Sequence, residues 1–174
     1  MTQIASKSLY SGHVVKLFLD TVRLPNGLEC DLEMIRHPGA AAVVPLDAEG
    51  NIIFVKQYRY ATGGFILEIP AGKRDGNESP ENCARRELSE ETGYEAAVLL
   101  PLGFIWTTPG FTDEKIWLFL AGNLSLQTSK LDADEILSIE KVPLMTAIRM
   151  AEQGDICDSK SICALLRVKA VLKK

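Results

Sequence analysis

Residues 79–93 encode a short helix that crowds three carboxylates onto one face, an arrangement with little reason to form unless something neutralises it. Ser79 is placed to cap that helix, and Pro80 sits at its first position, where a missing N–H costs nothing. Glu81 to Thr92 is rich in good helix formers, and Gly93 suits the left-handed residue that stops a helix. On it Glu87, Glu90 and Glu91 stand at i, i+3 and i+4. Each like-charge pair at this spacing costs roughly 0.2–0.5 kcal/mol in an isolated helix. Arg86, four residues before Glu90, offsets only part of that. A hard divalent cation with oxygen ligands is the natural neutraliser. A solvated acidic face is the commoner origin of such a run, but the flanking glycines and Arg86 favour a metal site here. Ala84 and Leu88, four apart, supply the apolar stripe that can hold the helix on a core.

The 174 residues suit one domain with a sizeable core, and 47% hydrophobic with 24% charged residues is ordinary for a globular protein. A net charge of −4 and the lack of a basic stripe argue against a nucleic-acid polymer as partner. A nucleotide-like anion remains allowed, because a bound metal and a few arginines reverse the local field. Cys30, Cys83, Cys157 and Cys163 show no C-x-x-C pairing, so reduced thiols in a cytoplasmic protein are expected rather than zinc or disulfides. No signal pattern and no membrane-length apolar run is present, so no membrane association is expected.

Along the chain, residues 14–23 are β-rich, Leu24-Pro25-Asn26-Gly27 reads as a turn, and residues 28–36 alternate loosely, which predicts an N-terminal hairpin. Ala40 to Leu46, Asn51 to Tyr58 and Phe65 to Ile69 read as strands, and further strands are expected near 96–106 and 115–121. Pro143 to Gln153 and Ser159 to Leu172 have helical spacing. This mixed order predicts an α/β fold, a three-layer α/β/α sandwich around a mixed sheet. Trp106 and Trp117 fall on strand patterns and are expected in the core, while His13 and His37 need no catalytic role, His37 being a turn residue.

The stretch from Gly72 to Tyr94 reads G-x5-E-x7-R-E-U-x-E-E-x-G-U, U being apolar or aromatic, with every position in place. With residue types at about one in fifteen to twenty, a chance match falls on the order of one in a million or less. The chain therefore resembles the Nudix hydrolases. The resemblance runs over roughly residues 10 to 155 and includes Gln57-Tyr58-Arg59, Gly63-Gly64-Phe65, Glu68-Ile69-Pro70-Ala71-Gly72 and Pro109-Gly110-Phe111-Thr112-Asp113-Glu114. Pro109 stands sixteen residues after Gly93, the usual marker of the ADP-ribose pyrophosphatase branch.

The resemblance implies a Nudix-type α/β/α sandwich over residues 39–174, with residues 1–38 as a β-hairpin extension that pairs two protomers and is often swapped between them. It implies that Mg²⁺, or Mn²⁺, meets Glu87 and Glu91 directly. Glu90 either joins them or holds an attacking water, and the main-chain carbonyl of Ala71 also reaches a metal. Glu78 and Arg86 would orient those carboxylates, and Arg59 would contact the diphosphate or the nucleobase region. The general base would be a glutamate in the acidic run 131–137, where Glu135 matches best, with Asp134 and Glu90 as rivals. Phe18, Tyr58, Tyr60, Phe65 and Phe111 are available to stack on a base, although each is more often a packing residue.

The implied reaction is hydrolysis of the diphosphate of ADP-ribose or a related nucleoside diphosphate sugar, to a nucleoside monophosphate and a sugar phosphate. GDP-mannose is the alternative substrate. A MutT-type triphosphatase fits the proline marker and hairpin less well, and a non-catalytic nucleotide sensor fits poorly with a box that keeps every carboxylate.

Overall fold

The computed structural model describes residues 2–126 and 137–172. The chain divides into two compact units, Met1–Gly39 with Trp106–Lys115, and Ala40–Ile105 with Ile116–Lys174.

The first unit is an antiparallel sheet in the order β1 (Thr2–Ser11), β2 (Lys16–Arg23), β3 (Glu29–Ile35). The β2–β3 hairpin closes where the sequence places its turn. Gly27 takes a φ of +86°, and the Asn26 side chain accepts from the Leu28 N–H at 3.2 Å. The expected hairpin gains an unpredicted third strand, β1. Every residue of β1 is exposed, so no face of it is marked by buried apolar residues, and the period-two signal that reveals a half-buried strand is missing. Asp20, buried in the central strand, accepts from Ser6 Oγ at 2.6 Å and pairs with Arg36. His37 behaves as a turn residue, its Nδ1 accepting from the Gly39 N–H at 3.1 Å.

The second unit holds two sheets. One is mixed, in the order β7 (Ala71–Lys73), β4 (Ala40–Pro45), β9 (Lys115–Leu126), β8 (Tyr94–Trp106), with β4 parallel to β9 and antiparallel to β7. The other is antiparallel, β10 (Leu137–Pro143), β5 (Asn51–Arg59), β6 (Gly64–Glu68).

Strand β4 is buried along its whole length, and its alternation sorts the core. Ala41 and Val43 pack with Cys83, Ala84 and Leu88 of α1 (Pro80–Thr92). Ala40, Ala42 and Val44 pack instead with Ala147 and Ala151 of α2 (Leu144–Gln153) and Leu165 and Val168 of α3 (Ser159–Leu172). Helices thus cover both faces of β4, the α/β/α sandwich the sequence implies. Full burial of a side chain such as Leu88 or Leu165 stabilises the fold by about 1.5–3 kcal/mol.

The helix ends follow local chemistry. Ser79 Oγ accepts from the Asn82 N–H at 3.2 Å, and Gly93 closes α1 in the left-handed region with its N–H on Ser89 O. Trp106 departs from expectation: it is half exposed, and Lys115 Nζ stands 5.6 Å from its ring centroid. It ends β8, where apolar residues are exposed at several positions, so its strand pattern did not translate into burial.

Candidate active site

Strand β7 runs beside α1, and its central residue, Gly72, leaves the space that the Glu87 carboxylate occupies. A Cβ on Gly72 would stand 2.0 Å from Oε1 and 2.1 Å from Cδ of Glu87. The first glycine of the motif therefore makes room for a carboxylate. Glu91 ties the same strand down from the end of the helix. It is nearly fully buried, and its Oε2 accepts from the Ala71 N–H at 3.1 Å.

Arg86 gathers the remaining carboxylates. Its Nε and Nη2 donate to the two oxygens of Glu78 at 3.1 and 3.0 Å, and Nη1 donates to Glu87 Oε1 at 2.6 Å and Glu90 Oε2 at 2.9 Å. Nη2 also reaches Lys73 O at 3.0 Å, which anchors the guanidinium to β7. A planar fork can serve this many acceptors, whereas an ammonium cannot. The hydrogen bonds from Arg86 hold Glu78 below the usual carboxylate range against the opposing effect of burial. Arg86 itself is raised above its ordinary value, first by Glu78 and then by the other carboxylates.

A cavity of about 330 Å³ opens beside this cluster, and Arg59, Ala71, Arg86, Glu87, Glu90 and Glu91 all line it. The fold thus brings together six of the residues singled out in the sequence. Glu78 stands behind Arg86. Phe111 belongs to the first unit, where its carbonyl accepts from the Ile35 N–H at 2.7 Å and its side chain is half exposed. Asp134 and Glu135 lie outside the described residues.

Sequence reasoning missed what holds Arg59. Glu68, the buried end of β6, takes Arg59 Nε on Oε1 at 2.7 Å and Nη2 on Oε2 at 3.0 Å. Lys160 of α3 pairs with the same carboxylate and with Asp158 Oδ1, the latter at 3.1 Å. Burial pushes the Glu68 carboxyl up, but Arg59 and Lys160 outweigh it and leave it below its ordinary value. The bond to Glu68 in turn raises the Arg59 guanidinium. Ser161 secures the corner by accepting from the Ile69 N–H at 2.9 Å. The one visible hint was a charge, Glu68, inside the otherwise apolar run Phe65–Ile69.

Gln57 was also missed as a site residue. It lines the cavity two residues before Arg59 on the same face of β5, and it is 8% exposed. Its Oε1 is buried without a hydrogen-bond partner.

Among the described residues no three His, Cys, Asp or Glu side chains already converge at metal-ligand spacing. Glu87 and Glu90 are turned onto Arg86. The donor set nevertheless consists of the hard carboxylate oxygens of Glu87, Glu90 and Glu91 around a polar cavity, which fits a hard divalent cation rather than a soft metal.

Comparison with known proteins agrees with this chemistry. The NUDIX domain family matches residues 36–165. The chain is 42% identical over 174 residues to an ADP-ribose pyrophosphatase of Bacillus subtilis (strain 168), covering 98% of this chain and 94% of that one. It is 41% identical to a methanol dehydrogenase activator of Bacillus methanolicus at the same coverage. It is 30% identical to a GDP-mannose pyrophosphatase of Escherichia coli O1:K1 / APEC, covering 78% of this chain and 79% of that one. Among solved structures, an ADP compounds hydrolase superposes with a TM-score of 0.85 at 24% identity, covering 99% and 94% of the two chains, and so shares the fold. A complete motif on a capped helix, its carboxylates facing one cavity, and these matches over nearly the whole length place the chain in the Nudix family.

Proposed function

We propose that this Nudix pyrophosphatase hydrolyses the diphosphate of ADP-ribose or a closely related nucleoside diphosphate sugar, with Mg²⁺ as the working metal and Mn²⁺ as a substitute. The observation that carries the reading is the shared cavity, in which a guanidinium faces a carboxylate cluster. The one supplies the anion contact that a diphosphate needs, and the other the oxygen donors for its cation. The 42% identical ADP-ribose pyrophosphatase supports the choice of substrate, and the GDP-mannose pyrophosphatase supports GDP-mannose as the alternative.

In this reading Glu87, Glu90 and Glu91 would hold the cation with the Ala71 carbonyl, and Arg86 with Glu78 keeps the carboxylates aligned. A cation held there would neutralise charge on the diphosphate and make a water more acidic. Arg59, braced by Glu68, presents its guanidinium to the phosphate oxygens. Phe111 contributes to the substrate contact. Glu135 takes the proton of the attacking water, with Asp134 and Glu90 as the competing bases.

We further propose a cytoplasmic homodimer paired through its N-terminal strands, with the exchange of those strands between protomers as the form the family resemblance implies. The wholly exposed β1, the exposed apolar side chains of β8 and four free cysteines support this. No helix among the described residues is long and apolar enough to cross a membrane.

The test is a panel of ADP-ribose, GDP-mannose, UDP-glucose, NADH, diadenosine polyphosphates and 8-oxo-dGTP with Mg²⁺, read as kcat/KM with product identification. Preference for ADP-ribose supports the reading, and preference for GDP-mannose selects the alternative. Tight binding without turnover across the panel would replace hydrolysis with nucleotide sensing.

A further inference from the structure

The Oε1 of Gln57 is an acceptor in search of a donor, and its surroundings say which donor. A buried polar atom without a partner is uncommon in native structures and calls for an explanation. Among the described residues the protein supplies none. The arginines that line the cavity are engaged elsewhere, Arg59 on Glu68 and Arg86 on Glu78, Glu87, Glu90 and Lys73 O. Of the other charged residues on that wall, Asp75, Glu87, Glu90 and Glu91 are acceptors when ionised, and Lys73 makes no hydrogen bond to this oxygen. A diphosphate is itself rich in acceptors, so it cannot satisfy this oxygen either. Water can, because it donates twice and still keeps a lone pair to attack with.

We infer that Gln57 is a positioning residue for the attacking water: its Oε1 accepts one O–H of that water. This rests on the hydrolytic reading above. A water fixed by one hydrogen bond to Gln57 and a second to the carboxylate base has both protons committed, which leaves a lone pair free to face phosphorus. In the step the water oxygen bonds to one phosphorus and the bond from that phosphorus to the bridging oxygen breaks. The electron pair leaves with the bridging oxygen on the other phosphate. One water proton passes to the base and the other remains on the new monophosphate. Gln57 changes neither charge nor protonation. Its depth agrees with this part: Gln57 is 8% exposed, whereas the Arg59 side chain on the same strand face is 41% exposed. Glu91, on the same cavity wall, is buried as Gln57 is.

The test uses Gln57→Met, which fills similar volume without the acceptor, and Gln57→Asn, which keeps the amide but withdraws its oxygen by one methylene. Both should lower kcat by about a hundredfold, the cost of a misplaced reactant. KM for the best nucleoside diphosphate sugar and Mn²⁺ affinity by electron paramagnetic resonance should change less than about threefold, since the water rather than the cation or sugar is lost. The metal-free Gln57→Met protein should melt no lower than wild type, because no hydrogen bond is removed. A kcat within about twofold of wild type, or a loss confined to KM, overturns the inference, the second in favour of a substrate hydroxyl. A clearly lowered Tm in both variants overturns it in favour of a structural amide. A wild-type protein silent on every nucleoside diphosphate sugar overturns the hydrolytic reading and this inference with it, whereas an active wild type matched by Gln57→Met overturns this inference alone.

Discussion

Arg59 and Glu68 meet as a two-pronged pair, Nε to Oε1 at 2.7 Å and Nη2 to Oε2 at 3.0 Å, with the carboxylate buried and the guanidinium reaching the cavity. The pair joins two jobs. It neutralises a carboxylate taken out of water, and it fixes the direction of the one cavity arginine not bound to α1. Glu68→Ala frees Arg59 and leaves buried Lys160 with Asp158 as its remaining carboxylate. Leaving a buried charge alone costs about 3–5 kcal/mol, and with Asp158 still on Lys160 and Arg59 partly in water the loss should fall at or below the lower end of that range. Urea unfolding should read a loss of that order, and KM should rise in the folded fraction. A stable Glu68→Ala protein would remove the pair from the account of the fold.

The same carboxylate predicts an acid limb to stability. Burial raises Glu68, but Arg59 and Lys160 bring it below its ordinary value in the folded state. The unfolded chain therefore takes up this proton first as acid is added, so the contribution is complete at neutral pH and disappears as pH falls below about 4.5. Thermal melts of wild type from pH 7 to 3 should steepen in that window, and Glu68→Gln should show a shallower decline. Parallel profiles for the two proteins would assign the acid limb to other carboxylates.

Gly72→Ala should fold and fail to work. The new methyl enters the space held by the Glu87 carboxylate, 2.0 Å away, but that carboxylate ends a flexible side chain and can turn aside. Stability should change by no more than about 1 kcal/mol, in the range of ordinary substitutions. Turnover and Mn²⁺ affinity should both collapse if Glu87 is a ligand. Normal turnover with the carboxylate displaced would exclude Glu87 from the metal site.

Glu91→Gln keeps the shape and an acceptor for the Ala71 N–H, so the β7–α1 contact survives. If Glu91 ligates the metal, kcat should fall by several orders of magnitude while the circular dichroism spectrum and Tm stay close to wild type. Near-normal turnover would sink the assignment. For the base, Glu135→Gln should lower kcat with little change in metal affinity. A larger loss in Asp134→Asn would move the role by one residue.

Thiol chemistry offers a cheap check of the core. Burial first, and then Glu87 and Glu78, push the Cys83 thiol up to about 12. Native protein treated with iodoacetamide at pH 8 should label exposed Cys157 quickly and leave Cys83 unlabelled until denaturant is added, as read by mass spectrometry. Rapid native labelling of Cys83 would mean that α1 opens from β4.

Much of this protein is decided by short-range chemistry. Ser79, Pro80 and Gly93 set the ends of α1 because capping and backbone conformation act within a single turn, and the i, i+3, i+4 spacing of Glu87, Glu90 and Glu91 then follows from helix geometry. The apolar run Ala40 to Leu46 announced a buried strand, and β4 over Ala40–Pro45 is covered on both faces. What stayed hidden depends on which distant groups the fold brings side by side. Glu68 reads as a stray charge until Lys160, far along the chain, arrives to share its burial with Arg59. Gly72 reads as a motif letter until Glu87 is seen in the space its side chain would occupy. Gln57 reads as a strand polar residue until its Oε1 is found buried with no donor among the described residues. Strand β1 carries no buried face, so only its pairing with β2 makes it a strand. Local propensity and periodicity are properties of a few consecutive residues, whereas desolvation, steric fit and charge compensation belong to pairs that only the tertiary structure brings together.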